Sequence, residues 1–457
     1  MMDTASAARA VAGRLVGQSE VFAHVTTDSR ALRPGDLFVA LAGERFDGHD
    51  FVAAVQAQGA AAALVARHRA AGLAGNLIAV DDPLVALGML AAHWRARFEL
   101  PLTLVVGSNG KTTVKEMLAA ILRAQFGEGA VLSTQGNLNN AIGLPLTLLR
   151  LRAEHRAAVI ELGMNHRGET RDLAAIARPD IVLVNNAQRE HQEFMASVAD
   201  VAAEHADAVA ALPRDGTAII NADDAFAAVW MMAARTAGAR MLSFGIEVPA
   251  DVRGRCTLRE DGSDIDITLP AARIDVVLRV PGKHMVRNAL AAAAAATAAG
   301  VAPDAIRAGL QAFRAAPGRL VALRAASGAR VFDDSYNANP DSMRAAIDVL
   351  AAASGTRVLV MGDMGEVGAD GPAYHREIGV YARSRGIDRL LATGELAREA
   401  VVAFGAHAEH CADMDALALR ARAAAGADVA ILVKGSRFMR MERVVAALTN
   451  GAAGGTH

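Results

Sequence analysis

The chain has 457 residues, more than one hydrophobic core normally supports, so two or three domains are expected. Hydrophobic residues make up 53% and charged residues 21%, a globular composition, and the net charge of -2 leaves no basic excess for gripping nucleic acid, so small-molecule partners are expected. The two cysteines, Cys256 and Cys411, are far apart and outside any CxxC or His spacing, which points to neither a disulfide framework nor a zinc site and fits a reducing compartment.

The first residues, MMDTASAARAVAGRLVG, place Asp3 before any apolar stretch and are broken by Arg9 and Arg14, so they lack the order of a secretory signal, and a cytoplasmic location is expected. TTDSRALRPGDLFVALAGERFDGHDF alternates short apolar strands with turn residues; an Ala-rich helix and the strands AAALVA and NLIAV then complete a small α/β unit. After Asp81-Asp82-Pro83 the pattern becomes an amphipathic helix over Leu84–Phe98, ending at Pro101. From Leu102 the runs LTLVV, AAVIEL, DIVLVNN and TAIIN alternate with longer helical stretches, the mark of a parallel sheet covered by helices. The alanine run Ala289–Ala299 is shorter than the roughly 20 residues a bilayer span requires and reads as a packed helix, so no membrane insertion is expected. Past Ala315-Ala316-Pro317-Gly318, the strands RVFDD, RVLVMGD, RLLATG and VAILVKG alternate with helices again, and the tail NGAAGGTH is expected to fray. The expectation is an α/β protein of three domains, 1–84, 85–316 and 317–457.

Within the middle block, LTLVVGSNGKTTVKEMLAAIL reads as strand, glycine turn and amphipathic helix, the context a nucleotide phosphate loop requires. Gly107, Ser108, Asn109 and Gly110 would turn backbone N–H groups toward phosphate oxygens at a helix N-terminus, with Lys111 on the β/γ-phosphates and the Thr112 hydroxyl, followed by Thr113, placed for Mg²⁺. Val105 stands where the longer phosphate-loop pattern has a small residue, so this is the shorter GxxGKT form. Glu161 ends AAVIEL and His191 follows DIVLVNN, both at the carboxyl edge of the parallel sheet where a metal ligand could sit; on residue type alone each reads equally well as a turn or surface residue.

With these residues the chain resembles the Mur ligases of peptidoglycan synthesis over nearly its whole length. DDSYNANPDSM (Asp333–Met343), QGNLNNAIGLPLT (Gln135–Thr147), MGDMGEVG (Met361–Gly368) and VKGSRFMRME (Val433–Glu442) look like the branch that adds D-alanyl-D-alanine to UDP-N-acetylmuramoyl-tripeptide. The Asn-Pro-Arg-type motif of relatives that add the third amino acid is missing. The resemblance implies a small α/β UDP-sugar-binding domain, a central phosphate-loop ATPase with a mainly parallel sheet, and a C-terminal Rossmann-like domain, acting as a monomer with ATP and Mg²⁺. It implies metal ligation by Thr112, Glu161 and His191, with Lys111, Glu161 and His191 serving the chemistry. It also implies adenine contact by Asn288, phosphate contact by Arg319 and ribose contact by Asp334. Ser29, Arg30, Gly48 and His49 would hold the uridine diphosphate end, Asn137, Asn139 and Asn140 the muramoyl part, and Asn337 and Asn339 the closing face of the last domain. Taken singly, an asparagine at a helix start is as often a cap, and a lone arginine more often a solvated surface group.

The stretch VAAEHADAV departs from the family in one place: His205, flanked by Glu204 and Asp207, stands where many members have a carbamylated lysine that orders a second magnesium. Amide formation from a free carboxylate requires a leaving group, which phosphoryl transfer from ATP provides as an acyl phosphate. Two competing readings are a glutamate-adding folate ligase, which would lack TTDSR and FDGHDF, and a nucleotide-dependent switch, which would need neither the asparagine cluster nor a third domain.

Overall fold

The computed structural model describes residues 1–43, 46–190 and 192–449. His191 and the tail 450–457, expected as a metal ligand and a frayed end, lie outside the described residues.

Three large sheets follow one another along the chain, beside a short antiparallel pairing of Met2–Asp3 with Val21–Phe22. The first has five strands in the order Arg14–Val16, Leu77–Val80, Ala62–Ala66, Leu37–Val39 and Val25–Thr26, parallel apart from the antiparallel edge strand Arg14–Val16. Its central strands are uniformly apolar because helices or loops cover both faces. The helix predicted over Leu84–Phe98 spans Pro83–Arg95, started by Asp82, whose carboxylate accepts from the N–H groups of Leu84 and Val85.

The second sheet has nine strands. From one edge they run Val131–Ser133, Ala157–Glu161, Leu102–Val106, Ile181–Val184, Thr217–Asn221, Arg240–Gly245 and Val252–Arg259, all parallel. Two antiparallel strands, Gly262–Leu269 and Ala272–Leu278, extend it, and these were not anticipated from the sequence. The chain leaves Leu102–Val106 toward one side of the sheet and later returns to its other side, so this strand is the switch point of the topology. A crevice for ligands opens at the carboxyl ends of strands at such a point.

Helices Lys111–Phe126 and Lys283–Ala298 lie against this sheet, and Ala289 to Ala296 of the second are fully or almost fully buried. Alanine's small side chain lets this helix sit close to the strands, so the apolar run is a core helix as expected. Among the described residues no helix is long and apolar enough to cross a membrane.

The third sheet orders its strands Val321–Arg324, Arg330–Asp334, Val429–Lys434, Thr356–Met361, Arg389–Ala392 and Ala408–His410, with only the first pair antiparallel. All four strands expected after Gly318 are present.

Candidate active site

A cleft of about 1110 Å³ opens at the carboxyl end of Leu102–Val106 and is lined from the second and third sheets together. The strand and the helix Lys111–Phe126 bracket the predicted loop Gly107–Gly110. Gly110 adopts φ +81°, and a Cβ there would stand 2.7 Å from both Asn185 Nδ2 and Asn288 Oδ1, so only glycine fits. The side chain of Lys111 folds back over the loop, donating to the carbonyls of Gly107 (2.5 Å) and Ser108 (3.2 Å) and to Glu190 Oε2 (3.3 Å).

A segment that the sequence reading had singled out only for His191 shapes this loop. Just beyond the strand Ile181–Val184, Asn185 donates to the carbonyl of Asn109 (2.7 Å) and to Asn288 Oδ1 (3.0 Å), and Asn186 Oδ1 accepts from the Asn109 N–H (2.8 Å). Gln188 accepts from the Asn109 side chain (2.7 Å), and its N–H donates to Ser108 Oγ (2.8 Å). The signal available was the polar run Asn185, Asn186 and Gln188 immediately after an all-apolar strand, where side chains face the crevice.

Glu161 ends its strand inside the cleft, 3% exposed. Its Oε1 accepts from Asn139 Nδ2 (2.8 Å), while Oε2 is buried with no hydrogen-bond partner among the described residues. This carboxylate oxygen, lining the same cleft as the glycine loop and the hydroxyl-bearing Thr112, is a hard-oxygen donor that fits Mg²⁺.

Asn137, Asn139 and Asn140 line the same cleft, and Asn140 also caps the turn to helix Gly143–Leu148 by accepting from the Gly143 N–H (2.9 Å). From the third sheet come Asn337 and Asn339; Asn339 caps helix Pro340–Ala351 and donates to Asn109 Oδ1 (2.9 Å), joining loop to C-terminal unit. Arg319 lies over the Tyr336 ring at 4.2 Å, and Asp334 pairs with the buried Lys434 at 2.6 Å, a lysine the sequence reading missed. Asn288, Arg319 and Asp334 all border the cleft.

Ser29, Arg30, Gly48 and His49 are not among the residues lining this cleft. Arg30, with its side chain 88% exposed, forks onto Asp28 (2.9 and 2.8 Å), and its guanidinium holds the Asp28 carboxyl down at about 2. The His49 ring is tied at both nitrogens: its Nδ1 sits 2.5 Å from Asp47 Oδ1 and its Nε2 accepts from the Ala66 N–H (2.9 Å).

Models of three domains match the chain in order: the Mur ligase family catalytic domain over residues 21–95, the Mur ligase middle domain over 105–296 and the Mur ligase glutamate ligase domain over 318–437. UDP-N-acetylmuramoyl-tripeptide--D-alanyl-D-alanine ligase of Escherichia coli (strain K12) is 43% identical over 448 residues, covering 95% of this chain and 96% of that protein. The chain belongs to the Mur ligase family. The crystal structure of MurF from Acinetobacter baumannii superposes on this Mur ligase with a TM-score of 0.89 at 33% identity, covering 98% of each chain. MurF ligase from Thermotoga maritima in complex with ADP, at 24% identity, shares the fold with a TM-score of 0.81.

At the family's lysine position, His205 is 2% exposed, with Nε2 3.8 Å from Glu190 Oε1. Glu204 beside it accepts from the Gly168 N–H (2.7 Å) and Asp207 is half-buried, so His205 and Glu204 are both turned into the protein.

Proposed function

We propose that this Mur ligase uses ATP to activate the terminal carboxylate of UDP-N-acetylmuramoyl-tripeptide and joins it to the amine of D-alanyl-D-alanine, with release of ADP and phosphate. The observation that carries the reading is the single cleft in which the phosphate loop and Glu161 face Asn337, Asn339 and Lys434 of the C-terminal sheet. Curated relatives at 43% identity in Escherichia coli and 33% in Bacillus subtilis bear the same ligase name, which favours it over folate-ligase and switch readings.

The chemistry follows from charge. Both the attacking carboxylate and the γ-phosphate are anionic, so their approach must be offset before a phosphoryl group can pass. Lys111, at the start of helix Lys111–Phe126, would supply a cation at the positive end of the helix dipole, with the loop N–H groups beside it. Thr112, Glu161 and His191 would hold Mg²⁺, which when bound supplies further neutralisation of the phosphate oxygens. Asn288, Arg319 and Asp334 would seat the nucleoside and phosphates from the far wall, and Asn137, Asn139 and Asn140 would seat the muramoyl part. Ser29, Arg30, Gly48 and His49 would hold the uridine diphosphate, with His49 steadied by the Ala66 N–H. Attack of the amine on the acyl phosphate expels phosphate, and Asn337 and Asn339 at the closing face would help keep water from that intermediate.

We further infer boundaries near 84/85 and 316/317 and a cytoplasmic monomer. The free thiols of Cys256 and Cys411 support the location, and a cleft lined by one chain supports the monomer. Mass spectrometry of a reaction containing UDP-N-acetylmuramoyl-tripeptide, D-alanyl-D-alanine and Mg-ATP tests the function. A product heavier by one dipeptide less water is expected; ATP consumption without that product would overturn it.

A further inference from the structure

Arg189 belongs to no expected site, yet its side chain crosses from the central unit to the C-terminal one. Its Nε and Nη2 grip Asp341 (3.2 and 2.6 Å to Oδ1), and Nη1 and Nη2 grip Glu377 (2.6 and 3.1 Å). Its backbone N–H also donates to Asp341 Oδ2 (2.9 Å), and its guanidinium faces the Tyr374 ring at 5.2 Å. Asp341 lies in the first turn of helix Pro340–Ala351, and Glu377 lies in helix Gly371–Ser384, where Arg344 also reaches it (3.0 Å).

The three groups are 21 to 32% exposed, so the pairs are partly desolvated rather than solvated rim contacts. Burial by itself would lower the guanidinium's pKa, yet the hydrogen bonds it donates to Glu377 and Asp341 raise it well above its ordinary value, and Arg189 in turn holds the Glu377 carboxyl below the usual range. A guanidinium fork can satisfy two carboxylates along two edges at once, which an ammonium cannot.

The position of this clamp in the chain gives it meaning. Gln188 holds Ser108 and Asn109 of the phosphate loop, and Glu190 holds Lys111, so three consecutive residues tie the loop on one side and the C-terminal unit on the other. We propose that Arg189 is a positioning residue, a latch that links the arrangement of the phosphate loop to docking of the C-terminal unit over the cleft through Asp341 and Glu377.

The kinetic part of the proposal rests on the ligase reading; docking itself can be read without turnover. The test uses the full chain as Arg189→Ala, Arg189→Lys, Asp341→Ala and the Arg189→Ala/Asp341→Ala double variant. Expected for Arg189→Ala are a kcat lower by roughly tenfold or more, an ADP dissociation constant within about twofold of wild type, and a larger radius of gyration by small-angle scattering with Mg-ADP present. Arg189→Lys should recover only part of kcat, and adding Asp341→Ala to Arg189→Ala should cost much less than Asp341→Ala alone. Wild-type kcat with an unchanged radius of gyration in Arg189→Ala, or full additivity in the double variant, would overturn the latch. If wild type itself makes no ligation product, the ligase reading fails, and the scattering comparison alone then decides the latch.

Discussion

Replacing Gly110 by alanine concentrates strain on the phosphate loop, and its cost can be worked from the local geometry. Holding an L-residue at φ +81° costs about 1–2 kcal/mol. The added methyl would stand 2.7 Å from Asn185 Nδ2 and from Asn288 Oδ1, so both amides must move. That motion breaks the Asn185 hydrogen bonds to the Asn109 carbonyl and to Asn288, at about 1 kcal/mol each and more if a buried group stays unpaired. The total is about 3–5 kcal/mol, which corresponds to a loss of nucleotide affinity of about a hundredfold or more if the loop yields. Titration calorimetry with Mg-ADP and denaturant unfolding, run side by side, would divide the cost between binding and stability. Gly168→Ala is the control: it shares the left-handed region at φ +89°, but the nearest atom to its added Cβ is the end of the Arg171 side chain at 3.8 Å, so only the backbone cost of about 1–2 kcal/mol remains. Wild-type affinity together with wild-type stability in Gly110→Ala would refute the loop geometry.

Lys111→Ala is expected to abolish ligation while cooperative unfolding persists, because the lost group is a cation at the phosphate site and not a core side chain; turnover near wild type would contradict its role. Mg²⁺ should raise the unfolding midpoint of the wild-type protein in the presence of ADP, and Glu161→Gln should lose that increment, as a buried carboxylate with one oxygen unpartnered among the described residues becomes a neutral amide. Trp230, fully buried with its indole N–H donating to the Ala202 carbonyl (2.9 Å), should cost about 3–5 kcal/mol when replaced by alanine, read from urea unfolding of the chain. Burial holds the His284 imidazole down at about 4, against 6.5 when unfolded, so the unfolded chain binds the extra proton in between. Stability from this residue is therefore full above pH 6.5 and falls as pH drops toward 4, and His284→Gln should flatten that part of a midpoint-against-pH curve.

Local signals carried much of the fold. The strand LTLVV, the turn Gly107–Gly110 and the helix after it are contiguous, so their order in the chain already defined the phosphate loop. The all-apolar runs ending in Glu161 and in Asn221 marked parallel strands buried on both faces. The antiparallel pair Gly262–Leu269 and Ala272–Leu278 was missed, although Asp264, Asp266 and Asp275 alternate there with apolar residues at strand spacing. With one face exposed, these strands lack the continuous apolar run that announced the others.

Residue type and sequence order by themselves determined that a glycine turn of the nucleotide-binding form lies between a strand and a helix, that the chain has three successive α/β units, and that it resembles the Mur ligases. Only the tertiary structure decided which groups share the cleft. The polar run after the strand marked Asn185 and Gln188, but what they and Lys434 hold could not be read locally because their partners, Asn288, Asn109 and Asp334, lie 79 to 103 positions away. The tie between the His49 ring and the Ala66 N–H, 17 positions on, likewise shows only in the fold. Hydrogen bonds act over about 3 Å in space whatever the separation along the chain, so polar roles built by distant strands become legible only when the sheet has brought their ends together.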